Sequence, residues 1–509
     1  MVRLVSRVAW SFAALIAAVS VAAPARAADD DEDPPAAAAE KHEAPSVDEE
    51  APKAPSPEAA AKASERDPTD EQVRRGDWTL LRFRPPGRPA SHLVVASAFD
   101  DDDPIDIHLS LDVIFETHSA SLYREHVRQT PSAQPGDPLP VVRDLASSQT
   151  RQLLVPRAAV GIYHDLELAL TLPVVLSDTR SISRDVPGAD SPAVIDGLVD
   201  AAGFDAGANG PIGGGSTLFK GVKRSGLDQL WLGMTYALTN QTRDWSKPTW
   251  TVGLELRLSV GSIMKFDRQN PGGSTGVSRG VHELRASSAF ARRVGPIEPR
   301  GEIWWMGPIG RRGDNPDDPE SSRYWEVGFG QEPFGPRHKA GITMGMGLVA
   351  WESDVRRRRL VVDLDLSGTS FFEGRDYSEM WELLAYAGDA QGGGPLILDR
   401  DPVTAGVQPL DHPGVTNIEN HLRLGGKVGA TFDLGRLRLV GSFGYERDTR
   451  HHVTWTDAGK DGDDADDFIT PNTSEINPLH QPIIDIAGRR YIAEGAGTFT
   501  LDLAAMFLF

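Results

Sequence analysis

The chain has 509 residues, 25% of them charged, with 51 Gly, no Cys and a formal net charge of −21. The lack of Cys excludes disulfides, thiolate metal sites and thiol catalysis, and the acidic excess is the opposite of what a nucleic-acid partner requires, so no nucleic acid is expected. Mean hydropathy is −0.31, and beyond residue 23 no apolar run approaches the roughly 20 residues of a membrane-crossing helix, so membrane residence would have to be through strands.

At the N-terminus Arg3 and Arg7 precede an apolar run from Val8 to Ala23, and Ala25-Arg26-Ala27 offers small residues where a signal peptidase cleaves. Residues 1–27 read as an export signal and are set aside from the fold. Residues 28–75 are Ala, Pro, Glu and Asp with scattered Lys, and Val47 and Val73 are their only large aliphatics. Such a segment cannot bury enough apolar surface to offset its ordering entropy, which predicts a disordered acidic periplasmic linker. Residues 76–103 hold two short apolar pieces, Trp78–Phe83 and His92–Phe99, around a Pro-rich turn. A plug, an additional strand and a periplasmic lead-in all fit them.

From 104 to 509 the pattern has a period of two. Ile105, Ile107, Leu109, Leu111, Val113 and Phe115 alternate with Asp106, His108, Ser110, Asp112, Ile114 and Glu116, which is a strand with one apolar and one polar face. Twelve such segments can be read, over 105–117, 152–163, 166–176, 228–239, 248–260, 281–293, 297–306, 337–351, 356–370, 418–434, 436–449 and 491–509. Short and long links alternate between them. The short ones lie near 164–165, 240–247, 294–296, 352–355 and 435, and the long ones cover 118–151, 177–227, 261–280, 307–336, 371–417 and 450–490. The fold class that follows is all-β: a transmembrane antiparallel up-and-down β-barrel of about 12 strands with long extracellular loops, in the cell outer membrane of a Gram-negative bacterium. A soluble β-sandwich or lipocalin-like barrel also alternates, but it buries its apolar face inside, and soluble sandwiches rarely keep links of such regular length.

In a membrane barrel the apolar row faces lipid and the polar row faces the lumen. The lumen-facing candidates are Asp106, His108, Asp112, Glu116, Glu167, Glu255, Arg257, Glu283, Arg285, Lys339, Asp363, Asp365, His421, Arg423, Lys427, Arg438, Glu494 and Asp502. Two outcomes are open: the charges fill the interior with ion pairs, or they line a polar path for solute. Trp231, Trp250, Trp304, Trp305, Trp351, Trp455 and Tyr491 lie near the ends of these segments or inside them, and some of them are expected in interfacial aromatic girdles. The last segment presents Phe499, Leu501, Leu503, Phe507 and Phe509 on one face. This apolar row ending in Phe resembles the signal read by the barrel-assembly machinery, an expected partner together with outer-membrane lipid and lipopolysaccharide.

Motifs for chemistry are few. Asp461, Asp463, Asp464, Asp466 and Asp467 make an acidic loop, a candidate for divalent cations or for bridging them to lipopolysaccharide phosphates, although the spacing is not that of an EF-hand. Asp101–Asp103 reads the same way. His451-His452 has no further ligand at metal-binding spacing, and neither Gly213–Gly215 nor Gly392–Gly394 opens a helix after a strand. Tyr377–Tyr386 reads as a short amphipathic helix in an outer loop, placed to fold over or into the pore mouth. No catalytic, cofactor or metal residue is assigned, and no cofactor is expected.

Two segments carry a family resemblance. Gly161-Ile-Tyr-His-Asp-Leu-Glu-Leu-Ala-Leu-Thr-Leu-Pro173 and Gly226-Leu-Asp-Gln-Leu-Trp-Leu-Gly-Met-Thr-Tyr236 are similar to hairpins of the FadL-like hydrophobic-compound transporters and the related "meta-pathway of phenol degradation" barrels. The resemblance implies an outer-membrane transport barrel. The chain departs from FadL proteins in lacking the Asn-Pro-Asp with which their lumenal hatch begins, and in a strand count near twelve where theirs is fourteen; no ligand residue carries over. The expected function is a passive channel or transporter for small solutes. The alternatives are a structural or surface-interaction barrel with a self-filled lumen and a barrel enzyme.

Overall fold

The computed structural model describes residues 90–509 apart from 91, 100–104, 127–139, 187–201, 214, 266, 268, 312–334, 354–356, 388–395, 399–411, 413, 460–474 and 476–479. The export signal at 1–27, the linker at 28–75, most of 76–103 and both acidic clusters lie outside these residues.

Among the described residues, twelve long strands form a closed antiparallel barrel. They are β1 (Ile107–Glu125), β2 (Val141–Tyr163), β3 (Leu166–Thr171 continuing as Val174–Arg184), β4 (Arg224–Leu227 continuing as Gln229–Thr239), β5 (Thr249–Ser259), β6 (Val281–Ala291), β7 (Ile297–Arg311), β8 (Lys339–Ser353), β9 (Arg358–Phe371), β10 (His421–Leu434), β11 (Leu437–Asp448) and β12 (Tyr491–Leu508). Each pairs with the next, and β12 returns to β1 in register from His108↔Leu508 to Arg124↔Tyr491. The seam ends in reciprocal backbone bonds, Ile107 N to Phe509 O at 3.1 Å and Phe509 N to Ile107 O at 2.9 Å. Closure leaves no unpaired sheet edge, the condition for strands to cross lipid.

The alternation decides the faces. Leu109, Leu111, Leu168, Leu170, Met234, Leu254, Leu364, Leu366, Leu501 and Leu503 are exposed on the outside, whereas His108, Glu167, Glu283, Asp363 and Thr431 are buried inside. A soluble barrel has the opposite arrangement, so this is a membrane barrel with a polar interior, and its architecture is that of the bacterial outer membrane. Trp250, Trp305 and Trp351 are exposed on the lipid side. Trp231 and Trp304 instead turn inward, under the guanidinium groups of Arg257 at 4.0 Å and Arg285 at 5.4 Å, and Tyr491 is buried among loop residues, away from lipid.

The links 164–165, 240–248, 292–296, 354–357 and 435–436 leave one rim, and 126–140, 185–223, 260–280, 312–338, 372–420 and 449–490 leave the other. The tight turn at Gly435-Arg436 places Gly435 at φ 72°, in the left-handed region where a side chain is a steric penalty. β1, β2 and β3 run past their sequence-read limits at the long-loop rim, to Glu125, back to Val141 and on to Arg184. Beyond the lipid zone the outer face need not be apolar, so residues such as Ser119 and Ser121 continue the hydrogen-bonded ladder without continuing the alternation.

At that rim the loops fold inward and build a core of the kind soluble proteins have. Leu122, Leu145, Ile182, Phe219, Met380, Leu383, Leu384 and Tyr491 form one buried cluster. It includes Leu383 and Leu384 of the short helix α1 (Trp381–Ala385), all five residues of which are buried; Trp381 and Ala385 pack instead with Met264. The helix is therefore apolar all round except for Glu382, and that carboxylate meets buried Arg224 at 2.9 Å. A second short helix, α2 (Pro482–Asp485), packs Ile484 into the same cluster.

Candidate functional site: the barrel lumen

The inward face of the barrel is a ladder of fixed charges. Nearest the short-turn rim, Asp433 accepts from Arg359 at 2.9 Å and from Arg438 at 2.7 Å, and Arg359 also meets Glu298 at 3.3 Å. Asp106 accepts from Ser97 N at 2.9 Å. One level up, Arg300 bridges Asp363 at 2.9 Å and Asp365 at 2.6 Å, while Glu167 holds Arg157 and lies 3.7 Å from His108. Midway, Lys427 meets Asp502 at 3.3 Å, Arg257 meets Glu255 at 2.7 Å and Arg285 pairs with Glu302. Asp112 lies among Arg157, Lys427 and Asp502.

Toward the long-loop rim the wall bonds to the inward-folded loops. Arg279 spans Glu283 at 3.0 Å and Asp376 at 2.9 Å, with Arg337 on Asp376 at 3.2 Å and Lys339 4.0 Å from Glu283. Burial works against ionising Asp376, but the charges of Arg279, Arg337 and Lys339 outweigh it and hold its pKa at about 2. Arg423 grips Asp448 through two bonds of 2.6 and 2.9 Å. His421 stacks on Phe371 at 4.7 Å and on His451 at 3.8 Å. Glu116 lies 3.7 Å from Arg151. His118 links a hydroxyl and a carboxylate, with Thr498 Oγ1 2.9 Å from Nδ1 and Glu379 Oε1 3.4 Å from Nε2.

Glu494 departs from the inward row. Gly495 has φ 65°, and the register steps from Ser119↔Gly497 to Ser121↔Glu494, a bulge of one residue in β12. A bulge inverts the alternation beyond it, so Glu494 lies on the face of Phe499 and sits 3.8 Å from Arg450. On the regular part of β12, Phe499, Leu501, Leu503 and Phe507 are exposed to the lipid side, and Phe509 is exposed at its end. Arg157, Arg300 and Arg359, absent from the sequence-read row, occupy inward positions of β2, β7 and β9. The same parity that marks Asp363 and Asp365 would have found them.

The described part of 76–103 lies against the inner wall. His92 Nε2 is 2.6 Å from Asp363 Oδ1, Ala96 N donates to Glu167 at 2.9 Å, and Arg243 reaches Ser97 Oγ at 2.9 Å. Ala96 and Ala98 are buried there. Between this segment and the loop core are two cavities. The inner one, of about 580 Å³, is lined by His92, Arg300, Asp365, Lys427 and several Ser and Thr hydroxyls. The outer one, of about 330 Å³, lies against Tyr377–Glu379. Glu446 and Thr500 line both, so the two adjoin. Among the described residues no group of three or more His, Asp or Glu converges as metal ligands.

No family model and no curated protein matches the chain. Solved structures similar to it include an outer membrane channel from Pseudomonas putida F1, at 11% identity, covering 84% of this chain and 100% of that one with a TM-score of 0.34. A FadL homologue from Pseudomonas aeruginosa matches at 8% identity over 79% of this chain and 90% of that one, with a TM-score of 0.28. The outer membrane protease OmpT from Escherichia coli matches at 8% identity over 82% of this chain and 99% of that one, with a TM-score of 0.25.

Proposed function

We propose that the barrel is a passive channel for small polar solutes, with its path through the two lumenal chambers. The observation that carries this reading is that the chambers adjoin through Glu446 and Thr500, giving a continuous space lined by charged and hydroxyl side chains inside an apolar-coated ring. Most charges on its wall are held in pairs, which presents a solute with fixed hydrogen-bonding groups. The test is reconstitution of the purified protein into planar bilayers and liposomes. Discrete conductance steps and solute-dependent swelling are expected; a silent bilayer together with no swelling would sink the reading.

Two other readings each have an observation in their favour. The loop core around Leu383 and Leu384 lies across the long-loop end, which favours a self-filled barrel that works through its surface; silence in both flux assays is its expected outcome. The line Thr498–His118–Glu379 has the order hydroxyl, imidazole, carboxylate, which favours hydrolysis. Ester cleavage that is lost in Thr498→Val and His118→Gln while the barrel still folds is the outcome that supports an enzyme.

A further inference from the structure

The ion pairs of the lumen are not equally good. Arg423–Asp448 closes with bonds of 2.6 and 2.9 Å, and Arg293–Glu352 with 2.6 and 2.9 Å. Arg151 and Arg180, which line the outer chamber, are different. They share one carboxylate oxygen, Asp178 Oδ2, at 3.7 and 3.4 Å. The other oxygen of Asp178 already accepts from Gln149 at 2.8 Å. The remaining carboxylate near Arg151 is Glu116, at 3.7 Å. Arg180 has instead the ring of Trp381, 5.5 Å from its guanidinium carbon. The Nε of each arginine is buried and has no hydrogen-bond acceptor among the described residues, and Ser147 Oγ beside them has no partner either. Two guanidinium groups and adjacent hydroxyls thus face one chamber with too few acceptors.

We propose that the outer chamber holds a small oxyanion, the carboxylate or phosphoryl group of a permeating solute, between Arg151 and Arg180. Guanidinium groups bind such oxygens in a planar, charge-assisted way that no neutral solute matches. Ser147, Ser148 and Ser181 of the same chamber supply further donors. The chamber's other carboxylates are engaged elsewhere: Glu379 with His118 at 3.4 Å, and Glu446 with Ser367 at 3.2 Å and with Arg423 at 4.0 Å. At about 330 Å³ the space suits a solute at the lower end of ordinary ligand sizes. This inference rests on the channel reading in treating the ligand as a transported solute, and it names the class of that solute.

The test measures binding without flux. The full chain, folded in detergent, is titrated calorimetrically with sodium phosphate, with sodium succinate and with choline chloride at fixed ionic strength. Saturable binding of phosphate or succinate is expected, and none of choline; which anion binds tells phosphoryl from carboxylate chemistry. Arg151→Gln and Arg180→Gln should each weaken it by about 10-fold or more, with folding checked by heat-modifiable migration in gels. Glu116→Gln removes the competing charge at the chamber edge and should tighten anion binding, which a merely structural role for these residues does not predict. If the arginine variants fail to fold, Glu116→Gln decides alone, and unchanged or weaker binding overturns the proposal. So do an absence of saturable binding by either anion, equal binding in folded arginine variants, and equal binding of choline. A silent bilayer with intact anion binding would remove the channel reading and leave the site.

Discussion

A charged side chain has opposite consequences on the two faces of one strand. In β9, Leu364 is exposed to lipid, and its neighbour Asp365 points inward to Arg300 at 2.6 Å. Leu364→Arg should lower stability by about 2–4 kcal/mol, the cost of a guanidinium near the bilayer midplane. Asp365→Asn leaves Arg300 with Asp363 at 2.9 Å, so its cost should stay near roughly 1 kcal/mol, as for a partly solvated ion pair. Reversible guanidinium unfolding in liposomes measures both, and equal losses would contradict the assignment of faces. This level of detail was largely readable from sequence because a period of two needs only local information. Glu494 shows where that fails. The single bulge at Gly495 reverses the alternation for the residues that precede it in β12, Glu494 among them, and a lone Gly in a Gly-rich strand gives no sign of it. Pairing was equally hidden: that Arg300 bridges two residues of β9 depends on register between β7, β8 and β9, which alternation does not fix.

The elements least legible in sequence are the loops, since their apolar residues are few, widely separated and brought together only by closure of the ring. Of Tyr377–Tyr386, read as a short amphipathic helix, only Trp381–Ala385 is helical, and that turn is buried on all sides where a polar face is expected. The loop 449–490 contains a further consequence of that burial. Asp485, at the end of α2, accepts from Thr456 N at 3.0 Å and Gln481 N at 2.8 Å. Burial nevertheless raises its pKa from 3.8 to about 7. Below about pH 4 the carboxyl is protonated whether the loop is docked or released, and its full contribution to docking is present. As pH rises from about 4 toward 7 the released form ionises first, so docking weakens, and above about 7 the contribution is gone. Hydrogen exchange of this loop, corrected for intrinsic rates, should therefore show greater protection at pH 5 than at pH 8. Asp485→Asn should flatten the difference, and a pH dependence that survives the substitution would assign it to another group.

At the scale of the whole molecule, the regular alternation of short and long links predicted the barrel, its closure and its even strand number, because these follow from which rim each link must occupy. What fills the lumen did not follow, and that is what governs any passage through it. The segment around His92–Ala98 and the loop core lie on opposite sides of the two chambers. The ring of strands does not depend on the first of these: Asp363 keeps Arg300 and Glu167 keeps Arg157 when the segment is gone. Deleting residues 90–99 should therefore leave a barrel that assembles and still shows heat-modifiable migration, while single-channel conductance rises several-fold. His92→Ala, which removes only the 2.6 Å contact with Asp363, should give a smaller rise through more frequent opening. If the deletion assembles but conducts no better than the full chain, the barrier lies in the loop core, and the Arg224–Glu382 pair that anchors α1 becomes the place to break it. If the deletion fails to assemble, the segment is part of the folding core, and its hydrogen bonds to Glu167 and Asp106 stabilise the wall as well as occupying the lumen.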